Sequence, residues 1–266
     1  MLTKNNWFDC NLNERLLNSN SDFQINITPY DFIKMSFEES VNYTAKQIQD
    51  NFKKLYVSFS GGLDSEFVVR KFVELGIKFT PIIVVCGNRE ETNKAYEVCE
   101  ELQINPVTIL IEEEYLLDFF ETNIHKKYNG IGINTTHTFF AAEYAKNRDG
   151  VIITGIHLNN DGSGGINSFA SASEYDFYVD VEYGNVIHFF IYTMEIVYSM
   201  LQHSSEYESW DDFKNEIYNI NFREKMKPTY KKEFNHKLKY MVDNREYNPK
   251  RYCFWNKKEI MEMLKC

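Results

Sequence analysis

Residues 55–65 read Leu55-Tyr56-Val57-Ser58-Phe59-Ser60-Gly61-Gly62-Leu63-Asp64-Ser65. The apolar run before the glycines is typical of a strand, and the residues that follow, 66–75, favour a helix. A glycine turn between a strand and a helix points backbone N–H groups at an anion, and the helix N-terminus adds about half a unit of positive charge. Adjacent glycines also allow positive φ and close approach of a phosphate. The stretch therefore predicts a phosphate-binding loop at 60–65.

The side chains of this loop narrow the kind of phosphate site. Ser60 and Ser65 supply hydroxyl groups, whereas Asp64 repels a phosphate unless a divalent cation lies between them. No lysine follows the glycines, as a Walker loop requires, and the spacing of a dinucleotide fingerprint is absent. Two alternatives stay open: an ordinary turn with a Ser/Asp helix cap, and a loop that binds nucleotide without turnover.

Strand and helix patterns alternate on both sides of the loop. Ser36 and Glu39 have capping-box spacing at the start of a helix predicted over 36–54. Alternation at this spacing predicts an α/β fold, a doubly wound parallel sheet with right-handed crossovers and with ligands at the carboxyl ends of the strands. The strands are predicted at 55–59, 79–86, 106–111 and 151–154, and the helices after 36–54 at 66–75, 89–103, around Tyr115 and Phe119, and around 138–147.

The pattern divides the chain into three parts. Residues 1–35 are polar and predict an irregular N-terminal extension, and 36–190 hold the α/β domain. Residues 191–266 predict a helical C-terminal region over the active site. If the site binds a nucleotide and an acceptor substrate, this region is expected to close on the acceptor rather than on the nucleotide. A buried helix is expected from Ile187 to Leu201 and an amphipathic helix from Trp210 to Ile220.

Composition limits the partners. A net charge of −10 argues against a surface that coats nucleic acid, although a local basic patch could still grip tRNA or DNA. The five cysteines show no CxxC or zinc spacing and predict reduced thiols in the cytoplasm, that of the host if the source is viral. No apolar run reaches the roughly 18 residues of a membrane span, so no membrane partner is expected.

The Ser60–Ser65 pattern resembles the SGGxDS loop of the PP-loop ATP pyrophosphatases, the adenine nucleotide alpha-hydrolase-like superfamily, and is nearest to its asparagine synthetase-like branch. The resemblance covers about residues 52–165. It implies the HUP/PP-loop fold, ATP and Mg²⁺ as cofactors, and Ser60, Asp64 and Ser65 as catalytic residues. The implied nucleotide-binding residues are Ser58, Ser60, Gly61, Gly62, Leu63, Asp64, Ser65, Val85, Cys86 and Gly155.

A second segment, 154–165, resembles a relaxed form of the Gly-containing acidic turn of the same branch. Asp161 is the matching carboxylate and, with Asp64, the implied metal ligand. Gly162 and His157 depart from the pattern, so an ordinary Asn-Asn-Asp-Gly turn is the alternative. Weaker candidates are His137 near the nucleotide, a substrate loop at 163–165, and Lys227, Lys231 and Lys232 near the pyrophosphate.

The resemblance implies cleavage of ATP to AMP and pyrophosphate, which activates a carboxylate or carbonyl oxygen of an acceptor for attack by an amine or ammonia. The acceptor is a small molecule, a nucleobase or a tRNA. An N-terminal glutaminase would carry Cys after Met1, and Leu2 stands there, so a separate ammonia source is expected. The alternatives are a nucleobase- or tRNA-modifying enzyme, whether deazaguanine-synthase-like, sulfur-transferring or sulfonucleotide reductase-like, and a non-catalytic nucleotide-binding protein. Oligomer formation is left open.

Overall fold

The computed structural model describes residues 7–10, 25–28, 30–87, 90–125, 136–156, 168–169, 183–203, 207, 210–220, 255–256 and 262. The strands in this part are β1 Phe8–Cys10, β2 Ile25–Ile27, β3 Leu55–Ser58, β4 Thr80–Val85, β5 Val107–Leu110, β6 Val151–Thr154, β7 Ser168–Phe169, β8 Val186–His188 and β9 Trp255–Asn256. The α-helices are α1 Phe37–Asn51, α2 Leu63–Glu74, α3 Glu90–Glu101, α4 Glu113–Phe119, α5 Thr136–Lys146, α6 Met194–His203 and α7 Trp210–Ile217. A π-helical turn, Phe120–His125, follows α4, and a 3-10 turn, Phe189–Ile191, precedes α6.

Five strands form one sheet in the order β5-β4-β3-β6-β8, and every neighbouring pair is parallel. Strands of a parallel sheet are covered on both faces, and accordingly all four residues of β6 are buried. Helices flank the sheet, so the predicted doubly wound α/β fold is confirmed. Strand order reverses between β3 and β6, and the carboxyl ends of these two strands form the crevice where such folds bind ligands.

Helix α1 begins where the capping signal predicts. The backbone N–H of Glu39 donates to the Ser36 Oγ at 3.3 Å, and the Ser36 N–H donates to the Glu39 Oε2 at 3.0 Å. Two buried hydroxyl pairs join this helix to α6 and the residue before it. They are Ser40 Oγ with Ser199 Oγ and Thr44 Oγ1 with Thr193 Oγ1, both at 2.6 Å.

Two expectations are wrong. Val186–His188 is a fifth strand and not the start of the helix predicted from Ile187, because a short run of β-branched and aromatic residues fits either structure until its neighbours are known. Within the predicted irregular extension, β1 pairs antiparallel with β2, and Trp7 is buried in the core. In the described part of the chain, no helix has both the length and the apolar character needed to cross a bilayer.

Candidate active site

The loop 60–65 connects β3 to α2 at the crevice. Gly61 has φ 86°, a conformation that glycine adopts without strain, and Gly62 is the N-cap of α2, which begins at Leu63. The Gly62 N–H donates to the Ser60 Oγ at 3.3 Å, and the Ser65 Oγ donates to the Gly62 carbonyl at 2.9 Å. These bonds hold the loop in shape, with the first turn of α2 facing the crevice.

Gly155, directly after β6, packs against the first turn of α2. A Cβ at this position would lie 2.7 Å from both the Asp64 carbonyl carbon and the Ser65 nitrogen. Only glycine allows the end of β6 to come this close to the loop. The structure therefore brings together Gly155 and the loop, which are nearly a hundred positions apart in the chain, as the prediction of a site at the carboxyl ends of the strands requires.

Both carboxylate oxygens of Asp64 accept hydrogen bonds from α7 or the residue after it. The Lys214 Nζ donates to Oδ2 at 2.8 Å, and the Tyr218 hydroxyl donates to Oδ1 at 2.9 Å. The side chain of Lys214 is 12% exposed and that of Asp64 is 27% exposed. A lysine therefore lies next to the loop in space, although none follows the glycines along the sequence.

Aromatic rings fix the position of α7. The Tyr218 ring stacks on Phe67 of α2 with centroids 4.3 Å apart and lies nearly parallel to Phe190 at 5.9 Å. Phe213 is fully buried and meets Phe37 edge-on at 5.8 Å. Burial, together with the Asp64 carboxylate, raises the pKa of Tyr218, so its hydroxyl stays protonated and remains a donor. Helix α7 and the residue after it therefore contact the loop 60–65, and the expectation that the C-terminal region closes on the acceptor rather than on the nucleotide stays a prediction.

The other predicted nucleotide-binding residues lie on neighbouring strands. Ser58 ends β3 and is paired in register with Ile82. Val85 ends β4, where its carbonyl accepts the Ile111 N–H at 2.9 Å, and Cys86 follows with 5% exposure. All three positions share the carboxyl edge of the sheet with the loop. Their roles in nucleotide binding stay predictions.

Two buried histidines lie at the same edge. His188 ends β8, and its Nδ1 is 2.8 Å from the Thr154 Oγ1 of β6. His137 is in the first turn of α5, and its buried Nε2 has no hydrogen-bond partner among the described residues. Burial lowers the pKa of His188 to about 3 and that of His137 to about 4, so both rings are neutral at physiological pH. Sequence reasoning named His137 and missed His188.

Several predicted residues lie outside the described part of the chain. They are Asp161, His157, the 163–165 loop, Lys227, Lys231 and Lys232. Among the described residues, no group of three or more His, Cys, Asp or Glu side chains could hold a metal ion. Both oxygens of Asp64 accept a hydrogen bond in this structure, and the metal-ligand roles of Asp64 and Asp161 stay predictions.

Lys214 and Tyr218 are the functional candidates that sequence reasoning did not find. One signal was available: Lys214 stands between Phe213 and Ile217 on the apolar side of an amphipathic helix, where a charged side chain is unusual. Tyr218, four positions on, shares that face. The partner, Asp64, is 150 positions away, and no local pattern could identify it.

Of the comparisons with known proteins, only the one with solved structures gives matches. No protein-family model and no curated protein matches the chain. Among solved structures, it resembles the NMN synthetase of Francisella tularensis, with 12% identity over 82% of this chain and 97% of that one, at a TM-score of 0.38. It also resembles the NH3-dependent NAD synthetase of Campylobacter jejuni, with 17% identity over 79% and 95% of the two chains, at 0.37.

A third similar structure is a predicted subunit of tRNA methyltransferase from Methanocaldococcus jannaschii, with 15% identity over 75% and 91% of the two chains, at 0.38. Likenesses this distant carry no argument about activity or substrate. What the chain itself shows is a strand order that reverses between β3 and β6, with the loop 60–65 at that point. The chain thus has the doubly wound α/β fold that its resemblance to the PP-loop ATP pyrophosphatases predicts.

Proposed function

We propose that this chain is an enzyme that binds ATP at the loop 60–65 and cleaves it to AMP and pyrophosphate while activating an acceptor. One observation carries the proposal. The Ser-Gly-Gly-Leu-Asp-Ser loop stands at the switch point of the sheet, where Gly61 has positive φ and Gly155 packs on the start of α2. Such a loop presents backbone N–H groups to a polyphosphate.

The reaction is a displacement at the α-phosphorus. A carboxylate or carbonyl oxygen of the acceptor forms a bond to this atom, the bond from the α-phosphorus to the bridging oxygen breaks, and pyrophosphate leaves with the electron pair. Ammonia or an amine then forms a bond to the carbon that carries the adenylated oxygen, the bond from this carbon to that oxygen breaks so that AMP leaves with the electron pair, and the added nitrogen loses a proton to solvent. Catalysis of this kind is positioning plus neutralisation of charge on the leaving group. In this proposal Ser60, Ser65 and the loop amides hold the leaving pyrophosphate, and the two serine hydroxyl oxygens are neighbours, 3.3 Å apart.

Sulfur transfer is the less supported alternative. It needs an accessible thiolate, and the cysteines Cys86 and Cys99 are buried, with 5% and 2% exposure. Burial raises the pKa of Cys99 to about 11, so its thiol is protonated at neutral pH. Neither of these two cysteines, the ones whose side chains the structure describes, has the character of a persulfide carrier, so they give sulfur transfer no support.

Product identity tests the proposal. ATP labelled at the α-phosphate is incubated with the protein, Mg²⁺, ammonium and pools of carboxylate metabolites or RNA, and the nucleotide products are separated by chromatography. Acceptor-dependent AMP is expected. Ser60→Ala should lower its rate by about 10²–10³, the effect of removing one donor that stabilises developing charge.

The control is Ser36→Ala, which removes a hydroxyl that forms its hydrogen bonds with Glu39 in the α1 cap. It should leave the rate of AMP formation unchanged. Acceptor-dependent ADP and phosphate would replace the proposal with a kinase-like or ATPase reaction. Binding of ATP with no turnover in any pool would favour the non-catalytic alternative.

A further inference from the structure

The environment of Lys214 is unusual for a lysine. Its side chain is mostly buried, and its ammonium is held 2.8 Å from the Asp64 Oδ2, in the first turn of α2 beside the glycines of the loop. An ammonium has three N–H donors, and among the described residues one carboxylate accepts from it. The other two donors have no acceptor among the described residues, and they belong to an ammonium next to the loop that the proposed function assigns to phosphate binding.

Stability alone is a poor reason for a lysine at this position. Taking an ammonium and a carboxylate out of water is costly, and apolar replacements of such pairs are often neutral or stabilising. Phe213 and Tyr218 already anchor α7 through Phe37 and Phe67. A methionine at 214 would continue this apolar face without desolvating a charge.

The charges point to a functional role for the pair. Asp64 is a negative charge where phosphates should bind, which opposes their binding. Lys214 neutralises that charge, and the Tyr218 hydroxyl fixes the other oxygen of the same carboxylate, so the ammonium is held in one place. A fixed positive charge next to the N-terminus of α2 is complementary to a polyphosphate.

We propose that Lys214 is a phosphate-binding residue of this site: α7 delivers its ammonium to the loop, Asp64 positions it, and it contacts the pyrophosphate portion of the bound nucleotide. This inference rests on the proposed function for the identity of the nucleotide. Tyr218 is a positioning residue, since it acts through Asp64. No resident metal is needed for this contact, so it should be measurable without magnesium.

The experiment measures binding by calorimetry in metal-free buffer containing EDTA, with ATP, inorganic pyrophosphate and adenosine as ligands. Lys214→Met should weaken the binding of ATP and pyrophosphate about ten- to a hundredfold, the effect of losing one charge-assisted hydrogen bond. Adenosine, which has no phosphate, should bind unchanged.

Lys71→Met is the matched control. Lys71 is 11% exposed, close to the 12% of Lys214, and it also forms an ion pair, with Glu74, but at the other end of α2. This variant should bind all three ligands like the parent protein. If Lys214→Met does not fold, Lys214→Arg and Lys214→Gln provide the same contrast, because both keep a long polar side chain and only arginine keeps the charge.

Parent-like affinity of folded Lys214→Met for pyrophosphate, or tighter binding, would overturn the inference. Equal affinities of the arginine and glutamine variants would do the same. The proposed function fails separately: a parent protein that binds pyrophosphate through Lys214 but never forms AMP keeps the inference and loses the reaction. If AMP is formed while Lys214→Met leaves affinity unchanged, the reaction stands and the inference is lost.

Discussion

Replacing Gly155 by alanine tests whether the contact between β6 and α2 shapes the phosphate loop. The added Cβ would lie 2.7 Å from the Asp64 carbonyl carbon and the Ser65 nitrogen, and 2.9 Å from the Asp64 carbonyl oxygen. These are backbone atoms and cannot turn aside as a side chain does. The loop and the strand end therefore have to move apart until the distance reaches the 3.4 Å of ordinary van der Waals contact.

Two effects of different size follow. Overpacking of this kind lowers the free energy of unfolding by about 1–3 kcal/mol. The loop has to move by the difference between 2.7 and 3.4 Å, which is less than the misplacement of about 1 Å that can lower a reaction rate a hundredfold. The rate of AMP formation should therefore drop by about ten- to a hundredfold. ATP affinity should weaken as well, because Asp64 and Ser65 carry the displaced atoms.

Gly150→Ala is the matched control, since Gly150 directly precedes β6 at its other end. A Cβ there would lie 2.5 Å from the Tyr56 Cε2 and 3.2 Å from the Lys54 carbonyl oxygen, so it also overpacks. Urea unfolding and ATP titration are measured on both variants. Both should be destabilised, and only Gly155→Ala should lose ATP affinity and turnover. If Gly155→Ala binds ATP like the parent, or if both variants lose affinity equally, the contact does not shape the loop.

Three further expectations follow from the site and the caps. If Asp64 becomes a magnesium ligand when ATP binds, Asp64→Asn should abolish the gain in ATP affinity that Mg²⁺ gives over EDTA; an unchanged gain in calorimetry would reject that role. The pKa values of His188, about 3, and His137, about 4, lie below the 6.5 or so of an unfolded histidine, so the unfolded state binds more protons. The free energy of unfolding should therefore fall by about 1.4 kcal/mol per pH unit for each ring as the pH drops from about 6.5 to 4, and urea unfolding of His188→Asn should show a flatter profile. Ser36→Ala should lower the free energy of unfolding by about 1 kcal/mol through loss of the α1 cap, as measured in urea; no change would mean that the cap is not limiting.

The sequence predicted the sheet because its signals are local. The apolar runs at β3, β4, β5 and β6 alternate with helical patterns, and this alternation predicts their parallel pairing. Val186–His188 lacked such a signal. Three apolar and aromatic residues beside a helical pattern do not distinguish a strand from a helix, and the pairing with β6 decides between them.

The two residues that donate to Asp64, Lys214 and Tyr218, could not be identified from the sequence for a different reason. The loop residues are consecutive, so their spacing reveals the site. Lys214 and Tyr218 reach it through tertiary packing of aromatic rings, which follows from side-chain volumes and not from spacing. The sequence did show a lysine on an apolar helix face. A charged side chain at such a position needs a buried partner, but the sequence does not identify which residue it is.

The Asp64–Lys214 ion pair also has a consequence for synthesis of the chain on the ribosome, because its members are 150 positions apart. At about 5–20 residues per second, α2 leaves the ribosome on the order of ten seconds before α7. During that interval the loop exposes a carboxylate with no ammonium opposite it. We expect nascent chains and prematurely terminated products that lack this helix to bind nucleotide at least about ten- to a hundredfold more weakly than the chain with α7 docked.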